Sequence, residues 1–157
     1  MSKQSAGVLM YRWQNGHVEV FLVHPGGPFW SNKDVAGWSI PKGEFEASEE
    51  ALSAAKREFN EETGLTVEGT FLPLTPSKQS SGKIVHAWAV RGDCDPRAIK
   101  SNIFSMEWPP RSGQMEQFPE VDRAEWFDLE SARKRIHKGQ IGFLDELEER
   151  LARRTES

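Results

Sequence analysis

Apolar and aromatic positions gather first at Gly7–Trp13 and again at His17–His24, with Asn15-Gly16 between them. Asn-Gly flanked by two such runs predicts a β-hairpin closed by a type I′ turn, because both central residues of that turn need positive φ. Neither run alternates strictly between apolar and polar residues, so both strands are expected to be covered on both faces. Residues 25–37 (PGGPFWSNKDVAG) read as a loop, and long loops in compact domains tend to be functional. A short strand at Trp38–Ile40 leads into Pro41-Lys42-Gly43. Residues 49–63 read as a helix, with Ser48 as N-cap, Glu49 and Glu50 in the first turn and Gly64 just past the end.

Further along, Leu65–Leu72 and Lys83–Arg91 read as strands separated by polar Thr75–Gly82. Ile99–Pro119, broken by Pro109-Pro110 and Ser112-Gly113, reads as irregular. Glu125–Phe127 predicts a short strand, and Asp128 caps a helix over Leu129–His137 that Gly139 ends. The last helix covers Gly142–Arg153, with Leu144, Leu147 and Leu151 on one face and Glu146–Arg150 and Glu149–Arg153 as i,i+4 pairs. The fold class is α/β, with helices on both sides of a mixed sheet.

At 157 residues the chain makes one domain, large enough to bury a core without staples. Its single cysteine, Cys94, can form neither an internal disulfide nor a zinc cage. No apolar run approaches the roughly 18 residues that cross a bilayer, and MSKQSAG is not a signal peptide, so a cytoplasmic protein without membrane contact is expected. A net charge of −4 argues against a surface for duplex nucleic acid, which normally shows a basic excess. The acidity is local. Residues 44–68 hold eight acids and two bases, leaving the rest of the chain slightly positive.

On a helical wheel with Leu52 at zero, Ala51, Leu52, Ala55 and Phe59 form the expected core face. Glu61, Glu58 and Glu62 fall at about 180°, 240° and 280°, one patch bordering that face. As plain structure the patch is costly. Glu58–Glu61 and Glu58–Glu62 are like-charge pairs, and they occupy the helix end where the dipole favours cations. Three carboxylates with open coordination positions suit Mg²⁺ or Mn²⁺ better than zinc. Alone, they would more readily make an ordinary solvated acidic helix end.

Their context decides. Gly43, five residues, Glu49, seven residues, then Arg57-Glu58-Phe59-Asn60-Glu61-Glu62-Thr63-Gly64-Leu65 resembles the Nudix box, G-x5-E-x7-R-E-U-x-E-E-x-G-U with U bulky and apolar. All seven fixed positions are met, a coincidence expected on the order of once in 10⁸ windows. The one soft position is Phe59, where an aliphatic residue is commoner. The resemblance implies a single Nudix domain over residues 1–157, an α/β/α sandwich with a mixed sheet, and hydrolysis of a diphosphate linkage in a nucleoside polyphosphate.

By position, Glu58, Glu61 and Glu62 resemble the metal-binding glutamates, and Arg57 the residue that holds a glutamate by an ion pair. Glu49 resembles the outer acid of the box. The carbonyl of Lys42 takes the place of one that often joins the metal shell, and Gly43 is expected to let the chain turn. Glu58 is the first choice for general base. A further ligand often comes from outside the box. Glu107, Glu116, Glu120 and Glu125 are candidates, with Glu120 favoured.

Pro41-Lys42-Gly43 looks more like the lead-in to the box in dinucleoside polyphosphate hydrolases than the Pro-Gly-Gly of house-cleaning members. Lys42, Lys83 and Arg111 are candidates for phosphate contact, and Phe29, Trp30 and Trp108 for stacking on a base. Alternatives are removal of oxidised nucleoside triphosphates and a non-catalytic nucleotide-binding module. Trp88 and Trp126 are expected in the core. His17, His24, His86 and His137 show no metal spacing and read as structural or surface residues, and Cys94 sits in turn chemistry.

Overall fold

In the computed structural model, which describes residues 3–28 and 36–155, the elements in chain order are β1 (Gln4–Gln14), β2 (His17–Pro25), β3 (Lys42–Glu44), α1 (Ala51–Thr63), β4 (Leu72–Pro73), β5 (Ser77–Lys78), β6 (Ile84–Arg91), β7 (Ile103–Glu107), β8 (Met115–Pro119), β9 (Val121–Asp128), α2 (Leu129–Arg135) and α3 (Ile141–Thr155). The main sheet runs β4-β6-β1-β2-β9, with β1 and β6 parallel and the other pairs antiparallel. β3 pairs with the start of β1 while β2 pairs with its end, so one edge of β1 is shared between two strands. Among the described residues, no helix is long and apolar enough to cross a membrane.

The central strands bury both faces because side chains alternate across the pleat. Leu9 and Tyr11 of β1 and Val20 and Leu22 of β2 join Phe143, Leu144, Leu147 and Leu151 under α2 and α3. Val8, Met10, Phe21 and Val23 point the other way, onto Ala54, Ala55 and Phe59 of α1. This is the expected α/β/α sandwich. Asn15 (φ 52°) and Gly16 (φ 81°) make the expected hairpin turn. An alanine Cβ at Gly16 would meet nothing within 4 Å, so Gly16→Ala isolates the cost of the left-handed backbone. A loss of about 1 kcal/mol is expected in urea denaturation.

Several expectations are corrected. Residues 38–40 form isolated bridges rather than a strand, Ser39 to Val23 and Trp38 to Ile136. Of Leu65–Leu72, only Leu72 is in a strand. Gly69 (φ 145°) interrupts the run, and Leu65 and Val67 pack onto the α1-side core. The stretch expected to be irregular, Ile99–Pro119, contains the β7–β8 hairpin, a two-stranded sheet of its own. Its prolines and Ser112-Gly113 form the turn, closed by Trp108 N–H to Gln114 C=O at 2.9 Å. The ribbon contributes little to the core, so the usual burial pattern is faint. Asp128 does cap α2, accepting from Ser131 N–H at 2.7 Å, but the helix stops at Arg135 and residues 138–140 add a 3₁₀ turn. Trp88 and Trp126 are only partly buried, and among the described residues the deep tryptophan is Trp38, edge-on to Phe127 and His24. His24 is fully buried, its Nδ1 2.9 Å from Asp122.

Candidate active site

Helix α1 begins later than its sequence pattern implies. Glu46–Glu49 form a turn, Glu50 is extended at the N-cap, and Ser48 provides no cap. Glu49 therefore stands outside the helix, where it can reach back to Arg57. The C-terminal end is as expected, with Gly64 left-handed (φ 74°) and its N–H on Asn60 C=O. The buried face is rotated from the expected one. Ala54, Ala55, Glu58, Phe59 and Thr63 are buried, while Ala51 and Leu52 are half-exposed. The rotation carries Glu58 into the packed face and leaves Glu62 partly covered beside it.

Arg57 organises three carboxylates. Its Nε and Nη2 donate to the two oxygens of Glu49 at 2.9 and 3.0 Å. Its Nη1 donates to Glu58 at 2.8 Å and to Glu61 at 3.1 and 3.2 Å. The Glu49 hydrogen bonds, then those to Glu58 and Glu61, hold the guanidinium firmly protonated. The same bonds lower the pKa of Glu49. Burial raises Glu58 despite its ion pair with Arg57.

Gly43 serves a different purpose from the one expected. Its φ is not left-handed, and the need is for space. A Cβ there would lie 2.0 Å from Glu58 Oε2 and 2.1 Å from its Cδ. The carboxylate of Glu58 thus rests on the backbone of β3. One residue earlier, Lys42 N–H donates to Glu62 Oε1 at 3.1 Å. Burial pushes the Glu62 carboxyl up to about 8, with Glu58 and Glu120 adding to the rise. Burial and the neighbouring Lys83 lower the pKa of the Lys42 ammonium.

Glu120 joins this group from the β8–β9 junction. Its N–H bonds Asn102 C=O at 2.8 Å, and its C=O accepts Gly26 N–H at 2.9 Å. Asn102 N–H in turn bonds Glu61 C=O at 3.0 Å, which ties the tail of α1 to Glu120. Burial first and Glu61 second raise the Glu120 carboxyl. Glu62, Glu120 and Lys42 line a cleft of about 210 Å³ whose other walls include Trp38, Ser39, Gln79, His137 and Gln140.

The remaining candidates lie elsewhere. Glu107 is exposed and accepts Arg111 N–H at 2.7 Å, while Glu116 and Glu125 stand exposed on β8 and β9. Arg111 (φ 64°) sits in the β7–β8 turn and does not line the cleft. Lys83 is 3.7 Å from Glu44 and contributes charge beside Lys42 rather than a wall of the cleft. Trp108 is half-exposed in the ribbon. Phe29 and Trp30 lie outside the described residues. Burial raises the Cys94 thiol to about 11, which makes it a poor nucleophile. Sequence reasoning missed Ser39, Gln79 and Gln140. No motif marks them, and they meet only because residues 38–40, 77–79 and 137–140 converge in space.

Among the described residues, no three His, Cys, Asp or Glu side chains converge closely enough to ligate one ion as they stand. The donor chemistry still fits a hard divalent cation. Glu58, Glu62 and Glu120 are oxygen donors partly removed from water, and burial first, then neighbouring carboxylates, raises the pKa of each.

The NUDIX domain profile matches residues 1–147 of the chain, which therefore belongs to the Nudix family. Solved structures agree on the fold. An Ap4A hydrolase from C. elegans in a binary complex is 24% identical, with 96% of this chain and 98% of that one covered and a TM-score of 0.67. The NUDIX domain of Shewanella oneidensis NrtR, complexed with ADP ribose, is 15% identical, with 96% and 89% covered and a TM-score of 0.67. An octanoyltransferase from Myxococcus xanthus is 32% identical over 99 residues, which is 63% of this chain and 25% of that protein. The chain thus matches about a quarter of the length of that curated relative.

Proposed function

We propose that this protein is a divalent-metal-dependent pyrophosphohydrolase of nucleoside polyphosphates, with dinucleoside polyphosphates as preferred substrates. The observation that carries the reading is the meeting of two separate chain segments at one cleft. Glu62 of α1 and Glu120 of the β8–β9 junction line one cleft beside the backbone of Lys42, close enough to Glu58 that both neighbouring charges raise the Glu62 carboxyl. Membership of the Nudix family supports the reaction class. The dinucleoside preference is supported by the Pro41-Lys42-Gly43 lead-in and by the fold shared with an Ap4A hydrolase.

In this reading Glu58, Glu61, Glu62, the Lys42 carbonyl and Glu120 hold Mg²⁺ or Mn²⁺. Bound there, the cation offsets the repulsion between carboxylates and phosphates and lowers the pKa of a water. Arg57 fixes Glu58 and Glu61 so that neither needs to reorient during the reaction. Glu58 accepts the proton of the attacking water, a role that its burial favours by raising its basicity. The water oxygen bonds to phosphorus, the bridging P–O bond breaks, and the departing phosphate carries off the electron pair. The Lys42 ammonium meets the negative charge of the polyphosphate.

A Mg²⁺-dependent panel of diadenosine tetraphosphate, ADP-ribose and 8-oxo-dGTP tests this, read by product identity. Asymmetric cleavage of the diadenosine substrate to ATP and AMP is expected to be fastest. Preferential pyrophosphate release from 8-oxo-dGTP would replace the substrate assignment. Tight nucleotide binding with no turnover would overturn the enzymatic one.

A further inference from the structure

The cleft is lined by residues of two chemical kinds. Its charged lining residues are Lys42, Glu62 and Glu120, and the rest of the described lining carries no fixed charge. The uncharged lining comes largely from three segments tied together. Trp38 N–H bonds Arg135 C=O at 3.0 Å, and His137 N–H returns to Trp38 C=O at 2.8 Å. The amide of buried Gln140 accepts Ile40 N–H at 3.0 Å and donates to Ser39 Oγ at 3.0 Å. Ser77 Oγ donates to Gly139 C=O at 2.6 Å, which holds the β5 segment against the 3₁₀ turn.

Within this frame two polar side chains keep hydrogen-bonding capacity that the fold does not use. Gly139 N–H donates to His137 Nδ1 at 3.1 Å, so the ring is the tautomer with its proton on Nε2. Gln79 is half-buried, and its side-chain amide has no partner among the described residues. The two side chains flank one glycine. A Cβ on Gly139 would stand 3.3 Å from both Gln79 Nε2 and His137 Nδ1. A donor and a donor–acceptor amide therefore sit side by side on the wall of the cleft that Lys42, Glu62 and Glu120 also line.

We propose that Gln79 and His137 are the specificity-determining pair of the cleft, reading the polar edge of a nucleobase while the polyphosphate lies beside Lys42, Glu62 and Glu120. An amide presents a donor and an acceptor in one plane, the pattern that matches a purine edge, and the Nε2–H adds a second donor. Among the described residues the uncharged lining offers no fixed cation for phosphate, so it takes the neutral end of the substrate. This deepens the proposed function and rests on its placement of the phosphates.

The test is calorimetric binding in Mg²⁺ of two non-hydrolysable probes, a methylene-bridged ATP analogue and methylenediphosphonate, which lacks the nucleoside. Gln79→Leu and His137→Ala are each expected to weaken the ATP analogue about tenfold, the worth of one hydrogen bond, and to leave methylenediphosphonate unchanged. Gln79→Leu preserves shape and touches no hydrogen bond of the fold, so it carries the test if His137→Ala lowers the melting temperature. Equal weakening of both probes, or of neither, by Gln79→Leu overturns the pair's role. Normal hydrolysis of diadenosine tetraphosphate beside such a result would leave the proposed function standing. Nucleoside-dependent binding without hydrolysis would leave the pair standing and remove the enzymatic reading.

Discussion

Arg57→Ala is expected to lower kcat for polyphosphate hydrolysis by roughly a hundred- to a thousandfold. Arg57 alone bridges Glu49, Glu58 and Glu61, with five hydrogen bonds at 2.8–3.2 Å. Without it, Glu58 and Glu61 lose the cation that sets their orientation, and like charges one turn apart on α1 repel. Displacement of catalytic groups by about an ångström costs on the order of 10² in rate. Stability should fall far less, by about 1 kcal/mol, because Arg57 and Glu61 are more than a third exposed and water screens the pairs. Arg57→Lys separates charge from geometry. A lysine keeps the charge but cannot fork onto Glu49 while reaching Glu58, so kcat should stay well below the parent's. Steady-state kinetics beside thermal melts checks this, and an Arg57→Ala enzyme with parental kcat contradicts it.

Glu62→Gln is expected to abolish most activity, by about a hundredfold or more, while making the metal-free protein more stable at high pH. Gln keeps the oxygen that accepts Lys42 N–H and removes the charge. The parent carboxyl is pushed up to about 8 in the folded state from the ordinary glutamate value of about 4.5, chiefly by burial. Between those pH values the native state binds more protons than the unfolded one, so stability falls as pH rises. Below about pH 4.5 Glu62 is protonated in both states and the variant should match the parent. By pH 8 the variant should lead, by on the order of 2 kcal/mol after allowance for residual solvent access. Saturating Mg²⁺ should reverse the order, because a cation that binds only the folded parent stabilises it by mass action. Melting curves at pH 5 and pH 8, with chelator and with Mg²⁺, report all of this.

The box itself was legible because its chemistry is local. Glu58, Glu61 and Glu62 recur at helical spacing, Arg57 adjoins them, and Gly64 ends the helix as its left-handed φ requires. The hairpin at Asn15-Gly16 was legible for the same reason. The rotation of α1 was not. Small Ala54 and the close approach of β3 at Gly43 decide which side packs inward, and both depend on strand pairing. At Gly43 the sequence suggests a turn, because spacing alone cannot show a carboxylate lying against its α-carbon. The β7–β8 ribbon escaped because it stands off the core, leaving Ile103 and Met115 exposed where a buried strand would alternate. Glu120 could only be favoured from its place before a strand. What brings it to α1 is a backbone path through Asn102 that no local pattern announces.

A crystal grown with Mn²⁺ and a methylene-bridged dinucleotide analogue gives the most direct measurement, the anomalous difference map at the tail of α1. The account predicts a peak in contact with the carboxylates of Glu58 and Glu62, with Glu120 turned toward it and the phosphates on its far side. Those side chains directed into solvent, with no anomalous peak beside them, would contradict it.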